Sequence, residues 1–332
     1  MDFSKYTFLV TGGAGFIGSS IVDFLIKNNA KQVKVLDNLS TGSYSNISHF
    51  EGQSNFNFLE GDIRNIETCE LAIKGINFIL HQAALGSVPR SIIDPIVTNS
   101  VNIDGFLNVI NSANKSKALI KMIYAASSST YGDSESLPKV EGFEGVPKSP
   151  YAVTKLVNEL YAENFSRVYG FHAIGLRYFN VFGPRQSHDN PYAAVIPRFM
   201  RCALTNESPV IFGDGETSRD FTYIENVVQA NIKCIEASLN HGNLDLAKHQ
   251  VFNIAVGEST TLNQLWKYIS KLNGEINAMP IYKDERVGDV KHSLASIEKA
   301  KKIINYIPKI NIEEGLELSY FWYKNNILNE IC

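Results

Sequence analysis

Thr11-Gly12-Gly13-Ala14-Gly15-Phe16-Ile17-Gly18 follows a short apolar stretch, Tyr6–Val10, and opens a helical pattern that runs to Asn28. Gly12 allows a tight turn, Gly15 lets the backbone approach a pyrophosphate, and Gly18 permits close packing of helix on strand. Phe16 and Ile17 begin the helix, whose first N–H groups have no intrahelical partners and face the phosphates. The spacing is G-x-x-G-x-x-G, not the G-x-G-x-x-G of the common dinucleotide fingerprint. Its weight therefore comes from the sequence around it.

The next strand-like run, Gln32–Leu36, leads into Asp37, 19 residues beyond Gly18. A carboxylate there can hold both ribose hydroxyls of an adenosine and repels a 2′-phosphate. No arginine follows Asp37 to receive such a phosphate, so NAD is expected over NADP. Asn38, Ser40, Thr41 and Gly42 form a polar loop able to reach the same nucleotide. After the third run, Asn55–Leu59, Gly61-Asp62-Ile63 can flank the adenine, with Asp62 bonding its amino group. The fourth, Ile76–His81, ends in Gln82-Ala83-Ala84, small enough for a dinucleotide to lie across the sheet.

Two more runs, Ile120–Ala125 and Ala173–Tyr178, complete the alternation with helical segments Gly15–Asn28, Ser100–Ser112 and Ala152–Tyr169. Strands alternating with helices predict an α/β fold, a Rossmann-type doubly wound parallel sheet with a smaller α/β substrate-binding lobe. The Ala152–Tyr169 helix carries apolar residues at Val153, Leu156, Val157, Leu160, Phe165 and Val168, and Gly170 suits its C-cap. Residues 1–180 are expected to form the NAD-binding domain, with a returning segment near 224–256. Residues 181–332 are expected to form mainly the lobe. Loop signals cluster at Phe182–Tyr192 and Phe212–Arg219. Helical patterns recur at Ala193–Leu204, Ile224–Ser238 and Thr261–Leu272, with Thr261 as an N-cap and Val251–Ala255 as one more buried strand.

Composition is that of a globular chain: 332 residues, 44% hydrophobic, 20% charged. A net charge of −3 implies no basic surface for nucleic acid. Tyr6–Val10 is far too short for a membrane span and lacks a basic lead and a cleavage site, so a cytoplasmic protein without membrane contact is expected. Cys69, Cys202, Cys234 and Cys332 contain no C-x-x-C pair, and no histidine stands at metal-ligand spacing from them. Buried free thiols and no metal are expected.

Tyr151 and Lys155 are four residues apart at a helix start and so share a face. A tyrosine titrating near 10 is a poor base at neutral pH. An ammonium and a positive nicotinamide ring nearby favour its phenolate. Bringing it to about 7 corresponds to roughly 4 kcal/mol of differential stabilisation. Ser127-Ser128-Ser129 ends the preceding strand, where a hydroxyl can hold a substrate oxygen beside Tyr151.

Thr11–Gly18, Asp37, Asp62, Ala125–Gly132, Tyr151-Ala152-Val153-Thr154-Lys155 and Arg177–Gly183 together resemble the extended short-chain dehydrogenase/reductase family, over essentially the whole chain. Four stretches are similar to its UDP-N-acetylhexosamine 4-epimerases. They are Ala84–Ser91, Arg177–Gly183, Gly213–Phe221 and Arg286–Val290. The resemblance implies a catalytic triad of Ser127, Tyr151 and Lys155, with Lys155 also on the nicotinamide ribose and Tyr178 and Val181 near the nicotinamide. It implies Asn180 on the diphosphate and Val195-Ile196-Pro197 beside the uracil. Arg219 and Arg286 would grip phosphates and Asp289 a ribose hydroxyl. Ser293 stands where relatives restricted to glucose and galactose carry a bulky tyrosine, leaving room for a 2-N-acetyl group. Gly86, Ser87, Ser128 and Gln186 resemble the small polar wall of acetamido-sugar epimerases.

These residues imply a 4-epimerase of UDP-N-acetylglucosamine. The uronate analogue, UDP-glucose, and a non-catalytic NAD-binding regulator stay open. A 4,6-dehydratase needs an acid–base pair where Ser128 and Ser129 stand. Relatives pair through a four-helix interface, and apolar positions on Ser100–Ser112 and Ala152–Tyr169 fit a homodimer.

Overall fold

A computed structural model describes residues 1–187, 194–239, 246, 248–274, 278–285 and 291–331, with side chains to 327. The apolar runs form β1 (Thr7–Thr11), β2 (Gln32–Asp37), β3 (Phe56–Glu60), β4 (Phe78–His81), β5 (Lys121–Ser127) and β6 (Ile174–Tyr178). With β11 (Gln250–Ile254) they make one parallel seven-stranded sheet in the order β11-β6-β5-β4-β1-β2-β3. The central strands are buried on both faces, as a parallel sheet requires, while the edge strand β3 is partly exposed. Along β1, Phe8 and Val10 enter one core and Leu9 the other.

Helices α1 (Phe16–Lys27) and α8 (Ile224–Ser238) pack on the first face. On the second lie α2 (Ile66–Ile73), α5 (Gly105–Asn114) and α6 (Pro150–Tyr169). Two short helices, α3 (Val88–Ile93) and α4 (Pro95–Asn99), lean on α6. The strand order reverses between β1 and β4, and the crevice beyond their carboxyl ends is where open α/β sheets take ligands.

The remaining elements are short and come from distant segments. β7 (Val181–Phe182) pairs with β10 (Thr222–Tyr223), β8 (Val210–Phe212) with β13 (Ile281–Lys283), and β9 (Ser218–Arg219) with β12 (Thr260–Thr261). Helices α7 (Val195–Thr205), α9 (Leu262–Leu272), α10 (Glu298–Ile304) and α11 (Ile312–Ile331) complete the lobe. Thr261 caps α9 in a capping box with Gln264. Asp220, fully buried, ties lobe to sheet by accepting hydrogen bonds from the N–H groups of Val256 and Gly257 after β11, each at 3.0 Å.

Three sequence readings need correction. Helix α6 begins at Pro150, because Ser149 accepts from the Ala152 N–H and the proline fits the first turn. Its apolar stripe is only partly turned inward: Phe165 enters the second core, but Val153, Leu160 and Val168 are exposed at 46%, 59% and 61%, and the inward face also carries Lys155, Asn158 and Glu159. The expected helix at 100–112 is a π-helical turn, Ser100–Asp104, followed by α5. Its core-facing positions are buried, and the large exposed apolar residues lie just before it, at Ile92, Ile93 and Ile96.

Among the described residues no helix is long and apolar enough to cross a membrane, and no group of three His, Cys, Asp or Glu side chains is placed to hold a metal ion. Cys69, Cys202 and Cys234 are free thiols, the first and last buried. Cys332 lies outside the described residues.

Candidate active site

The glycine turn closes as its spacing demands. Gly12 has φ +69°, and a Cβ there would stand 2.7 Å from the Ala83 backbone nitrogen. At Gly18 a Cβ would stand 2.1 Å from the Gly12 carbonyl oxygen. Gly15 is the N-cap of α1 and offers no capping side chain, so the first N–H groups of the helix face an open cleft. That cleft, of about 650 Å³, is lined by Gly12, Gly15, Phe16, Ile17 and Gly18 at one end. Asp37, Asn38, Ser40, Thr41, Asp62 and Ile63 line its far wall, and Gln82, Ala83 and Ala84 its floor.

Asp37 is buried and aimed: its carboxylate oxygens accept from the N–H groups of Ala14 (2.9 Å) and Leu39 (2.8 Å). Lone pairs remain on both oxygens for a pair of hydroxyls. Asp62 accepts from Asn38 and from the Arg64 guanidinium at 2.7 Å. The Arg64 fork holds its carboxyl down at about 2. Arg185, a cation on the cleft wall that sequence reasoning missed, donates to Asp23 at 2.7 Å. Trp322 and Asn326 of α11 also line the cleft and were equally missed, since nothing local in sequence links them to the glycine turn. Gly42 does not line it. Instead its Cα packs where a Cβ would meet the Ala14 backbone at 2.8 Å. The cradle, the oriented carboxylate and the small-residue floor fit an adenine dinucleotide.

At the carboxyl end of β5, beside the cleft, the structure brings Ser127, Tyr151 and Lys155 together. Ser127 is buried and accepts from the Ser129 N–H and hydroxyl at 3.1 and 2.8 Å. The Tyr151 phenol lies close enough to the Ser127 hydroxyl for it to lower the phenol's pKa. Lys155 is 4% exposed, and its Nζ donates to the Ala125 carbonyl at 2.8 Å. Tyr178, next to Ser127 in register, donates through its hydroxyl to Gln82 (3.2 Å), which connects this corner to the cleft floor. Burial raises the Tyr151 phenol above its ordinary value, against the Ser127 hydrogen bond. The Lys155 ammonium is turned to the Ala125 carbonyl, and burial brings it down to about 8.

Polar residues missed in sequence lock this corner. Asn102, at the π-helical turn, donates to Thr154 (3.1 Å) and to the Leu85 carbonyl (3.2 Å). Its own carbonyl accepts from Asn158 at 2.7 Å. The π-turn itself has no simple sequence signature.

A second cavity, of about 320 Å³, opens between β7, β9 and α7. Asn180, Val181, Gln186, Val195, Ile196 and Arg219 line it together, with Pro89, Phe199 and Phe212 added by the structure. Arg219 donates to the Ser218 carbonyl at 2.9 Å, which turns it along the cavity rim. Not all of the expected sugar wall is there. Gly86 lines the first cleft instead, Ser87 caps α3 by accepting from the Arg90 N–H, and Ser128 opens a 3-10 turn. Ser293 is half-buried, with its N–H on the Ser218 carbonyl at 3.1 Å, and does not line this cavity. Arg286 and Asp289 lie outside the described residues.

Comparison with known proteins places this geometry. The model of the family described as "NAD dependent epimerase/dehydratase family" matches residues 8–255. A putative UDP-glucose 4-epimerase of Methanocaldococcus jannaschii is 36% identical, over 96% of this chain and 98% of its own. A UDP-glucuronate 4-epimerase of Thermodesulfobacterium geofontis is 33% identical, over 96% and 97%. The solved UDP-N-acetylglucosamine 4-epimerase of Methanobrevibacter ruminantium M1, in complex with UDP-N-acetylmuramic acid, is 39% identical with a TM-score of 0.88, over 97% and 99%.

Proposed function

Because the chain belongs to the NAD dependent epimerase/dehydratase family, we propose that it interconverts UDP-N-acetylglucosamine and UDP-N-acetylgalactosamine through a 4-keto sugar. The observation that carries the reading is the Ser127–Tyr151–Lys155 corner, joined to the dinucleotide cleft through Tyr178 and Gln82, in a chain with a second cavity that holds Asn180 and Arg219.

The first cleft would hold NAD, with the α1 N-terminus on the pyrophosphate, Asp37 on the adenosine ribose and Lys155 on the nicotinamide ribose. When bound, NAD supplies a hydride acceptor for the sugar C4 and a positive ring charge beside Tyr151. Asn180 and Arg219 grip the UDP diphosphate, while Val195 and Ile196 border the uracil. Ser127 hydrogen-bonds O4, and Tyr151 as phenolate removes the O4 proton as the C4–H bond breaks, leaving a ketone. The sugar then turns about its bond to the anchored diphosphate and presents its other face. Tyr151 returns the same proton to O4 when C4 regains its hydride, so atoms and electrons balance with no net oxidation. Anchoring by remote contacts leaves the sugar free to turn.

The acetamido sugar is favoured by the similarity to the Methanobrevibacter ruminantium M1 structure. The 33% identity to a UDP-glucuronate 4-epimerase supports a second reading, the same inversion on a 6-carboxylate sugar. A panel of UDP-N-acetylglucosamine, its uronate and UDP-glucose, followed by NMR of the C4 configuration, separates them. The expected result is at least about tenfold higher kcat/KM for the acetamido hexose, worth roughly 1.4 kcal/mol in the transition state. Preference for the uronate or for UDP-glucose reassigns the substrate, and binding of NAD with no turnover points to a regulator.

We further propose a homodimer built on α3, α4 and α6. Ile92, Ile93, Ile96, Val153 and Leu160 are exposed on helices that pack against one another.

A further inference from the structure

Lys155 sits where its own charge is disfavoured. It is almost fully buried, its described hydrogen bond goes to a peptide carbonyl, and burial lowers it to about 8. The role proposed for it needs the ammonium. One helical turn further along α6, on the same inward face, stands Glu159, 6% exposed. Arg177 donates to both of its carboxylate oxygens, Nε at 2.9 Å and a terminal nitrogen at 2.6 Å. That fork fixes the carboxylate in one plane. The other terminal nitrogen of Arg177 donates to Glu144, and its guanidinium lies 4.9 Å from the Tyr131 ring centroid. Arg177 pairs in register with Ala126, the residue before Ser127.

An ion pair this deep adds little net stability, because removing two charges from water offsets their attraction. A pair of apolar side chains would fill the space as well. What the pair does supply is a fixed anion one turn from the buried lysine, tied to the strand beside the catalytic serine. We propose that Glu159, held by the Arg177 fork, is a positioning residue for Lys155: its carboxylate keeps the lysine protonated and fixes α6 against the end of the sheet.

The other charged and titratable groups around Lys155 leave this task to Glu159. On β4, burial brings His81 down to about 3, so the ring is neutral. On β5, burial pushes the Tyr124 phenol well up, so it stays uncharged; on α6 burial raises Tyr151, whose phenolate is favoured only beside the positive ring of bound NAD. On β6, Arg177 is balanced by Glu159 and by Glu144 from the loop before α6. Glu163, two turns beyond Lys155, faces Arg167 at 2.7 Å and His249 at 3.3 Å. Burial works to raise Glu159 itself, and the Arg177 fork opposes that. Burial has the larger effect and sets Glu159 above the ordinary carboxylate range, while the permanently charged guanidinium on both of its oxygens holds it as the anion of the pair.

The proposal rests on the reading of Lys155 as a catalytic group, and the test separates the two. Lysine labelled with 13C at Cε is titrated by NMR in the purified enzyme, with the Lys155 signal assigned by its loss in Lys155→Met. In Glu159→Gln the Lys155 midpoint is expected to fall by about one pH unit. The alkaline limb of kcat moves down with it, while KM for the UDP sugar holds. Glu159→Gln keeps the side-chain shape, and Arg177 retains Glu144. An unchanged Lys155 midpoint overturns the proposal. If that variant is insoluble, Glu159→Met, neutral and of similar length with Arg177 left on Glu144, is titrated against the same criterion. Full epimerase activity in Lys155→Met would instead overturn the catalytic reading of the lysine, with the Glu159 titration still reporting independently.

Discussion

Replacing Tyr151 with phenylalanine removes one oxygen from a corner whose other members are held by bonds of their own. Ser127 keeps Ser129, Lys155 keeps Ala125, and Tyr178 keeps Gln82. Epimerisation by Tyr151→Phe is therefore expected to drop by at least about 10²-fold, with bound NAD unchanged by absorbance of the denatured protein. Loss of NAD together with activity would mean that the phenol holds the cofactor rather than the proton. At this scale the sequence was legible where partners are close along the chain. Tyr151 and Lys155 share a face by helical spacing alone, and Asp37 follows from its strand end. Arg177 and Glu159 were not legible as a pair. They lie 18 residues apart and meet only when α6 packs on β6.

Among the elements, the turn between β1 and α1 distinguishes two roles of glycine. Gly18→Ala forces a Cβ to 2.1 Å from a backbone oxygen, and no flexible side chain is there to give way. It should lose soluble expression or melt far below the parent. Gly15→Ala meets only the Gly12 oxygen at 3.2 Å, and its φ of −79° is ordinary. That variant should fold with a near-parental melting temperature and bind NAD at least about tenfold more weakly, a loss of roughly 1.4 kcal/mol. Calorimetric titration with NAD checks both. Equal affinity in Gly15→Ala would place the pyrophosphate elsewhere. The strands were readable as apolar runs ended by polar or small residues. The stripe on α6 was readable as a stripe but not as to what covers it, because periodicity marks a face and not its neighbour. Here the sheet takes the polar face, since that face carries the chemistry.

For the molecule as a whole, the doubly wound sheet was written in strand and helix alternation, whereas the lobe was not. Its strands are two or three residues long and pair across distances that no local pattern reports. The apolar face of α3, α4 and α6 belongs to this scale too. Exposed patches of large aliphatic residues mark interaction surfaces in soluble proteins. Sedimentation velocity should give a dimer for the parent and a monomer for the double variant Ile96→Asp/Leu160→Asp. A parent that sediments as a monomer would contradict the proposed interface.

The central claim is that one carbon is oxidised and reduced again inside one site. It is tested most directly with UDP-N-acetylglucosamine deuterated at C4, incubated with the enzyme and substoichiometric NAD in ordinary water and followed by NMR. The account predicts the galacto epimer with deuterium retained at C4 and no net accumulation of reduced cofactor. Recovery of unchanged substrate, or of an epimer whose C4 deuterium has been exchanged for solvent hydrogen, would contradict it.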